Sequence, residues 1–93
     1  MEEREKEFLR LLGLKSTLEI LVYMDEHEAF QYTEMQHFVT THTLNNRLRQ
    51  LRELGIIEHH FMREDLRKEW YEPTEKGKRI IEYLKDLAKV FSE

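Results

Sequence analysis

The sequence predicts a mainly α-helical domain that carries one β-hairpin. Leu44, Leu48 and Leu51 recur at helical spacing and form one apolar stripe that can pack on a core. Gly55 follows where a helix C-cap favours a left-handed residue, and a strand begins at once at Ile56. A helix with one polar face that leads directly into a hairpin is typical of a winged helix-turn-helix. We therefore expect a binding protein rather than an enzyme.

The other elements follow from apolar spacing, caps and helix breakers. Thr41 or Thr43 is expected to cap the helix that ends near residue 54, and Thr74 to cap the last helix. Pro73 should end the second strand, because proline cannot donate to a ladder. Residues 29–31 fit either a short strand or a bend. The predicted helices are 3–12, 17–27, 33–39, the helix ending near 54, and 74–91, and the predicted strands are 56–62 and 69–72.

Two capping boxes are predicted near the N-terminal half. Ser16 to Glu19 matches the pattern in which a hydroxyl and a carboxylate satisfy the first free backbone N–H groups of a helix. Thr33 to Gln36 repeats that pattern. In the helix that follows Ser16, we expect Leu18, Leu21 and Val22 to be buried, with Ile20 as a further candidate.

Length and composition limit what the chain can do. Its 93 residues form a single domain, 1–93, and no apolar run approaches the roughly 20 residues that span a bilayer. The N-terminus does not resemble a signal peptide, so no membrane partner and a cytoplasmic location are expected. The absence of cysteine excludes disulfides, thiolate zinc sites and thiol redox sensing within this sequence.

The net charge of −4 argues at first against a nucleic-acid partner. The charges are unevenly distributed, however. Residues 25–34 hold four acids and no lysine or arginine, whereas the only formal charges between residues 38 and 52 are Arg47, Arg49 and Arg52. Because phosphate attraction depends on the local patch, this second segment can still face DNA.

The polar side chains of residues 42–50 are the first candidate site. They point away from the leucine stripe and carry donors and acceptors of the kind that read base edges in a major groove. An ordinary solvated helix face is the alternative, but the Glu–Lys ladder typical of such a face is missing. Arg47 lies nearer the core edge, which favours a phosphate or an intramolecular contact. The predicted DNA-binding residues of this helix are His42, Thr43, Asn45, Asn46, Arg47, Arg49 and Gln50.

The charged turn between the strands is the second candidate site. Arg63, Arg67 and Lys68 are predicted to contact DNA as a wing, through phosphates or the minor groove. Glu64 and Asp65 dilute the positive field, so a hairpin that is merely solvated is the alternative.

Metal and catalytic sites are not predicted. His59 and His60 are adjacent in a strand and so should point to opposite faces. Glu58 and His60 share a face, but two ligands without cysteine make a poor site. The sequence also lacks a glycine-rich phosphate loop, a nucleophile in a recognisable setting and a zincin motif. We therefore expect no enzyme activity, no metal and no cofactor.

The terminal helices are more apolar than a small core requires. Such a surplus favours a homodimer interface built by helices 3–12 and 74–91. The alternative is that the two helices pack on each other within one chain. The residues predicted at the interface are Phe8, Leu12, Leu84, Leu87 and Phe91.

Two strings of this sequence carry a family resemblance. LNNRLRQLRELGII and EWYEPTEKGKRI resemble the winged-helix transcription regulators of MarR and HxlR type, and the match spans about residues 13–84. In those regulators the recognition helix ends in a leucine, any residue, a glycine and a hydrophobic residue, and the second wing strand leads into Thr-x-x-Gly. The matching positions are Leu54, Gly55, Ile56, Tyr71, Thr74 and Gly77. Small archaeal and archaeal-virus winged-helix proteins share this size and pattern.

The resemblance implies a homodimer that is joined by its terminal helices and binds double-stranded DNA at a pseudo-palindromic operator. Pro73 departs from the aliphatic residue that the family prefers, and the cysteine that many HxlR-type members carry is absent, so thiol or aldehyde sensing has no support. A winged helix used for protein–protein contact remains the alternative function. The sequence does not specify the operator, the sign of regulation or a small-molecule effector.

Overall fold

The computed structural model describes residues 1–63 and 67–93, apart from the side chains of Arg63 and Arg67. Helices and one antiparallel hairpin make up the described elements, which confirms the predicted fold class. No helix in these two ranges has the length and hydropathy needed to cross a bilayer. The order is α1 (Glu3–Leu12), α2 (Thr17–His27), α3 (Tyr32–Met35), α4 (Thr41–Glu53), β1 (Ile57–Arg63), β2 (Arg67–Pro73) and α5 (Glu75–Ser92).

One hydrophobic core holds the helices and the base of the hairpin together. Leu44, Leu48 and Leu51 of α4 are buried in it, which confirms the predicted stripe. Burying each such leucine side chain stabilises the fold by about 1.5–3 kcal/mol, so α4 is fixed by its inner face. The buried apolar side chains are Leu11, Ile20, Leu21, Met24, Phe30, Met35, Val39, Leu44, Leu48, Leu51, Ile56, Ile57 and Ile81.

The hairpin is joined to the helical body by a third, very short strand segment. Strands β1 and β2 pair from Ile57 opposite Pro73 outward, and β2 begins two residues before the predicted start at 69. Phe30 forms a β-bridge with Tyr71, through N–H···O bonds of 2.9 and 2.8 Å, so the strand alternative holds for this stretch. Their rings stack with centroids 5.4 Å apart. Burial raises the pKa of the Tyr71 hydroxyl.

Threonine caps begin the two long helices next to the hairpin. The hydroxyl oxygen of Thr74 accepts from the backbone N–H of Gly77 at 3.0 Å, which confirms it as the cap of α5. Helix α4 begins one residue earlier than expected, because Thr40 is its N-cap and accepts from the N–H of Thr43 at 3.4 Å. The prediction of Thr41 or Thr43 as the cap was therefore wrong.

The predicted capping boxes of α2 and α3 were also wrong. Ser16 has a left-handed backbone with φ of 72° and makes no side-chain cap. The hydroxyl therefore lacks the extended cap geometry that reaches the first turn. In α3 the box is formed by Gln31 and Glu34, two residues before the predicted one, so Thr33 lies inside the helix. Helix α3 also ends at Met35 rather than at residue 39.

Helix α2 has two apolar faces, although one buried face was expected. Leu21 is buried as predicted, but Leu18 and Val22 are 49% and 53% exposed. They lie one turn apart, on a side of α2 that the core does not cover. A spacing of four residues groups side chains on one face without showing which face meets the core.

Candidate nucleic-acid interface

The outward face of α4 is polar and free of acids along its first three turns. His42, Asn46 and Arg49 lie opposite the buried leucine stripe, about 100° per residue around the helix. Asn45 lies on one flank of this face. We call His42, Asn45, Asn46 and Arg49 the reading face. Because the opposite side of α4 is buried, these side chains project from a rigid helix.

Two hydrogen bonds orient the amide groups of the reading face. The Tyr32 hydroxyl donates to Asn45 Oδ1 at 2.7 Å, which leaves both N–H groups and one oxygen lone pair of Asn45 for a ligand. Asn46 Nδ2 lies 3.2 Å from His42 Nε2, which leaves one N–H and Oδ1 of Asn46 for a ligand. The two neighbouring asparagines are thus held at different atoms, one at its oxygen and the other at its nitrogen. The contact from Tyr32 was not predicted, because it crosses 13 residues from α3 to α4.

Arg47 and Gln50 face the protein rather than the outward side of α4. Arg47 Nε donates to the backbone carbonyl of Lys15 at 2.9 Å, and its Nη1 donates to Gln50 Oε1 at 3.0 Å. The intramolecular alternative for Arg47 therefore holds in this structure. These bonds attach α4 to the turn between α1 and α2.

The charged end of the reading face is only weakly paired. Arg49 Nε lies 3.9 Å from Glu53 Oε1, and both side chains are more than 60% exposed. An exposed pair at this distance contributes little stability, so the guanidinium can exchange Glu53 for a phosphate or a base. Thr43, another predicted contact, is partly buried beside the N-terminal turn of α4.

Only part of the predicted wing site lies within the described structure. Lys68 is exposed on β2. Arg63 and Arg67 are paired through their backbones, at the outer end of the register. Their side chains, and the whole of Glu64 and Asp65, lie outside the described residues. Of the three predicted wing contacts, only the side chain of Lys68 therefore lies within the described structure, and its role stays a prediction.

The five predicted interface residues divide into two groups. Phe8, Leu12 and Leu84 are partly buried and pack against the core of their own chain. Leu87 and Phe91, near the end of α5, are 66% and 91% exposed.

Those exposed residues border an apolar groove between α2 and α5, whose other wall includes Leu18 and Val22. We call Leu18, Val22, Leu87 and Phe91 the apolar surface. Leu18 and Val22 were not predicted as part of an exposed surface, because their spacing in the sequence fits a core position equally well.

Histidines 59 and 60 point to opposite faces of the hairpin, as predicted. His59 pairs with Tyr71 and its ring stacks on that residue at 4.6 Å. His60 pairs with Trp70 and lies close to two carboxylates, Glu58 and Glu72. Only the second arrangement brings several possible metal ligands together.

Helices α3 and α4 form a helix-turn-helix, and the β1–β2 hairpin follows α4 as a wing. This fold defines the protein as a winged helix-turn-helix protein. The chain belongs to the HxlR-like helix-turn-helix family, whose sequence profile matches residues 11–93. The family resemblance predicted from the sequence is thereby confirmed, and the family and fold are those of DNA-binding transcription regulators.

Solved structures with the same fold come from bacteria and archaea. The reduced form of the transcriptional regulator YodB from B. subtilis superposes with a TM-score of 0.83 at 21% identity, over 96% of this chain and 89% of that one. A MarR-family protein from Porphyromonas gingivalis W83 gives 0.75 at 20% identity, over 99% and 92%. A transcriptional regulator homologue from Pyrococcus horikoshii OT3 gives 0.75 at 21%, over 98% and 96%. No curated protein matches the sequence.

Proposed function

We propose that this protein is a sequence-specific transcription regulator that binds a pseudo-palindromic operator as a homodimer. The observation that carries the proposal is the reading face of α4, a polar and acid-free surface on a helix whose other side is buried. A helix of this kind fits the major groove, where base edges present distinct donors and acceptors. Membership of the HxlR-like family supports the same function.

The two asparagines are expected to read different bases, because they are held by different partners. Asn45 is held at its oxygen by Tyr32 and keeps both N–H groups, which suit guanine N7 and O6 or thymine O4. Asn46 is held at its nitrogen by His42 and keeps its oxygen and one N–H, which suit the amino group and N7 of adenine. Adjacent positions of the operator are therefore expected to prefer different bases.

The cations of α4 and of the wing, together with Gln50, have supporting roles. Arg49, only weakly paired with Glu53, is proposed to contact a base or a phosphate. Arg47 and Gln50 position α4 against the body of the domain. Lys68, together with Arg63 and Arg67 of the same wing, is proposed to bind phosphates, which fixes the register of the protein without specifying sequence.

The apolar surface supports the homodimer. The apolar side chains of Leu87 and Phe91 are exposed to water in the monomer, and burying them against a partner would be favourable. Covering them with a second copy would add burial that a chain of this size lacks. A two-fold axis would also place two reading faces on one DNA, provided that they lie about 34 Å apart to meet successive major grooves.

A protein–protein module is the second candidate, and one observation favours it. A cleft of about 730 Å³ between α2, the hairpin and α5 is lined by several carboxylates, which repel phosphate. Its acidic lining residues are Asp25, Glu28, Glu58, Glu72, Glu75 and Glu82.

Selection of bound sequences from a random DNA library distinguishes the two functions. A regulator should enrich an inverted repeat, and a gel shift with that sequence should be saturable and weaken as salt rises. The gene's own promoter is a second probe. A protein–protein module should enrich no sequence at all. Sedimentation of the free protein and of the complex then gives the stoichiometry.

A further inference from the structure

A second cluster of ionisable side chains lies on the hairpin, apart from the reading face. Strand β1 contributes Glu58 and His60, and β2 contributes Glu72, which is the register partner of Glu58. Side chains directly opposite each other in an antiparallel pair share one face of the sheet, and alternate residues of one strand do as well. The three side chains therefore meet on one face, and Glu72 joins them only through the register of the hairpin.

The distances from His60 to the two carboxylates are close to those between ligands around one metal ion. His60 Nε2 lies 2.9 Å from Glu72 Oε1 and 3.5 Å from Glu58 Oε1, and the three ligand atoms lie within 4.8 Å of one another. Metal bonds of about 2.0–2.2 Å to nitrogen and oxygen place neighbouring ligand atoms roughly 3 to 3.5 Å apart. The cluster needs little rearrangement to meet that condition.

The nitrogen at the centre of the cluster lacks a hydrogen bond. His60 Nε2 is shielded from solvent, yet among the described residues it has no partner in hydrogen-bond geometry, although a carboxylate oxygen lies 2.9 Å away. A shielded polar atom without a hydrogen bond raises the free energy of the folded state. A cation between this nitrogen and the two carboxylates would satisfy all three groups.

Trp70 supplies an outer contact of the kind found around metal ligands. Its indole Nε1 donates to Glu72 Oε2 at 3.3 Å, so the other oxygen of that carboxylate is the one beside His60. The indole ring also stacks on the His60 imidazole, with centroids 5.4 Å apart and planes 18° apart. Such contacts fix the orientation of the ligands before the ion arrives.

We propose that Glu58, His60 and Glu72 form a binding site for a divalent transition-metal ion of the Zn²⁺, Ni²⁺ or Co²⁺ class. An imidazole nitrogen among the ligands favours these ions over Mg²⁺ and Ca²⁺. All three side chains are partly exposed, so water can reach the ion and complete its coordination. The ion would join β1 to β2 near the base of the wing. This proposal does not depend on DNA binding.

Trp70 makes the test direct, because it is the only tryptophan of the chain and touches two of the ligands. Titration of the full chain with NiCl₂ should quench its fluorescence saturably, at one ion per chain, since paramagnetic Ni²⁺ quenches at short range. Zn²⁺ should reverse the quenching by competition. Loss of an outer-shell partner alone typically lowers metal affinity by about 10–100-fold. Loss of a ligand should cost at least as much, so His60→Ala and Glu58→Gln should each raise the apparent Kd at least about tenfold.

His59→Gln is the matched control, because it removes the adjacent imidazole from the opposite face of the same strand. It should leave the Ni²⁺ titration unchanged. Zn²⁺ should also raise the Tm of the wild-type protein and of His59→Gln, but not that of His60→Ala, as followed by circular dichroism. Equal quenching in wild type and His60→Ala, or absence of saturable quenching in a folded wild-type protein, would overturn the proposal.

Discussion

Helices α4 and α5 are both amphipathic, but the surfaces that they leave for a partner are opposite in chemistry. Helix α4 buries Leu44, Leu48 and Leu51 and turns polar side chains to solvent. Helix α5 buries Ile81 and continues beyond the core with Leu87 and Phe91 exposed. The same packing rule anchors both helices, but α4 exposes the polar face opposite its stripe, whereas α5 exposes the end of the apolar stripe itself. The polar face of α4 suits base edges and phosphates, and the apolar end of α5 suits another protein surface.

The two surfaces also differ in what water does to them. In the free protein the polar groups of the reading face form hydrogen bonds with water. Binding to DNA lowers the free energy only when each of these groups finds a matching base edge in exchange, so this surface is selective. The apolar surface gains from any close-fitting apolar partner, because burial itself is the driving force. Specificity is therefore expected from α4 and assembly from α5.

The largest expected effect comes from placing a charge on the apolar surface. Leu87→Asp should convert a homodimer into a monomer and abolish operator binding, although α4 is untouched. Leu87 is 66% exposed, so the substitution should leave the core intact, whereas Leu84 packs against the core and its loss would also weaken folding. Sedimentation velocity and a gel shift with the selected operator measure the two effects.

Lys89→Asp is the control for charge in that experiment. It removes a positive charge and adds a negative one on α5, but lies outside the apolar surface. It should remain dimeric and keep operator binding. A wild-type protein that is monomeric at micromolar concentration and binds DNA with full affinity would contradict the assignment of α5 to assembly.

The next effect concerns the reading face itself. Asn46→Ala and Arg49→Ala should each weaken binding to the operator by about 1–3 kcal/mol and relax the base preference at one position. Both side chains lie opposite the buried stripe, so the Tm should stay within the range of surface substitutions. Binding titrations with the operator and with single-base variants measure the loss. Unchanged affinity in both variants would contradict the assignment of α4 to the DNA interface.

The fold could be predicted from the sequence wherever a residue pattern is compatible with only one local structure. The α4 stripe, the glycine after it and the Thr74 cap fixed the helix, the break and the next helix, and the hairpin lay between them. Gly77 of the family motif also has a physical reason. An added Cβ there would lie 2.1 Å from the carbonyl oxygen of Ile56, so only glycine permits this close approach of α5 to the residue that precedes β1.

The errors occurred where a local pattern allows several structures. Ser16 followed by Glu19 matches a capping box, but the backbone at Ser16 is left-handed, and the residue pattern does not specify that conformation. Leu18 and Val22 read as core residues, since spacing alone does not show which face of α2 is covered. Contacts between distant residues, such as Tyr32 with Asn45, leave no signal in a single sequence.

That unpredicted contact provides a smaller and more selective test. Tyr32→Phe keeps the ring but removes the hydrogen bond that holds Asn45 Oδ1, so the amide can turn and pair with adenine through its oxygen and one N–H. Affinity for the original operator should fall by no more than about 1.5 kcal/mol, the worth of one neutral hydrogen bond. The base preferred at one position should shift toward adenine in a repeated selection. Tyr23→Phe, which loses a hydroxyl bonded to Glu34 instead, should leave the preference unchanged.

The smallest expected effect belongs to the wing, which is part of neither the reading face nor the apolar surface. Lys68 is exposed on β2 and is proposed to contact a phosphate. Lys68→Ala should weaken binding about equally for all sequences and reduce the slope of log affinity against log salt by about 1, because one fewer counterion is released. Lys89→Ala, on the far end of α5, should leave that slope unchanged. Binding isotherms at several salt concentrations measure it, and a changed base preference in Lys68→Ala would show that the wing reads bases.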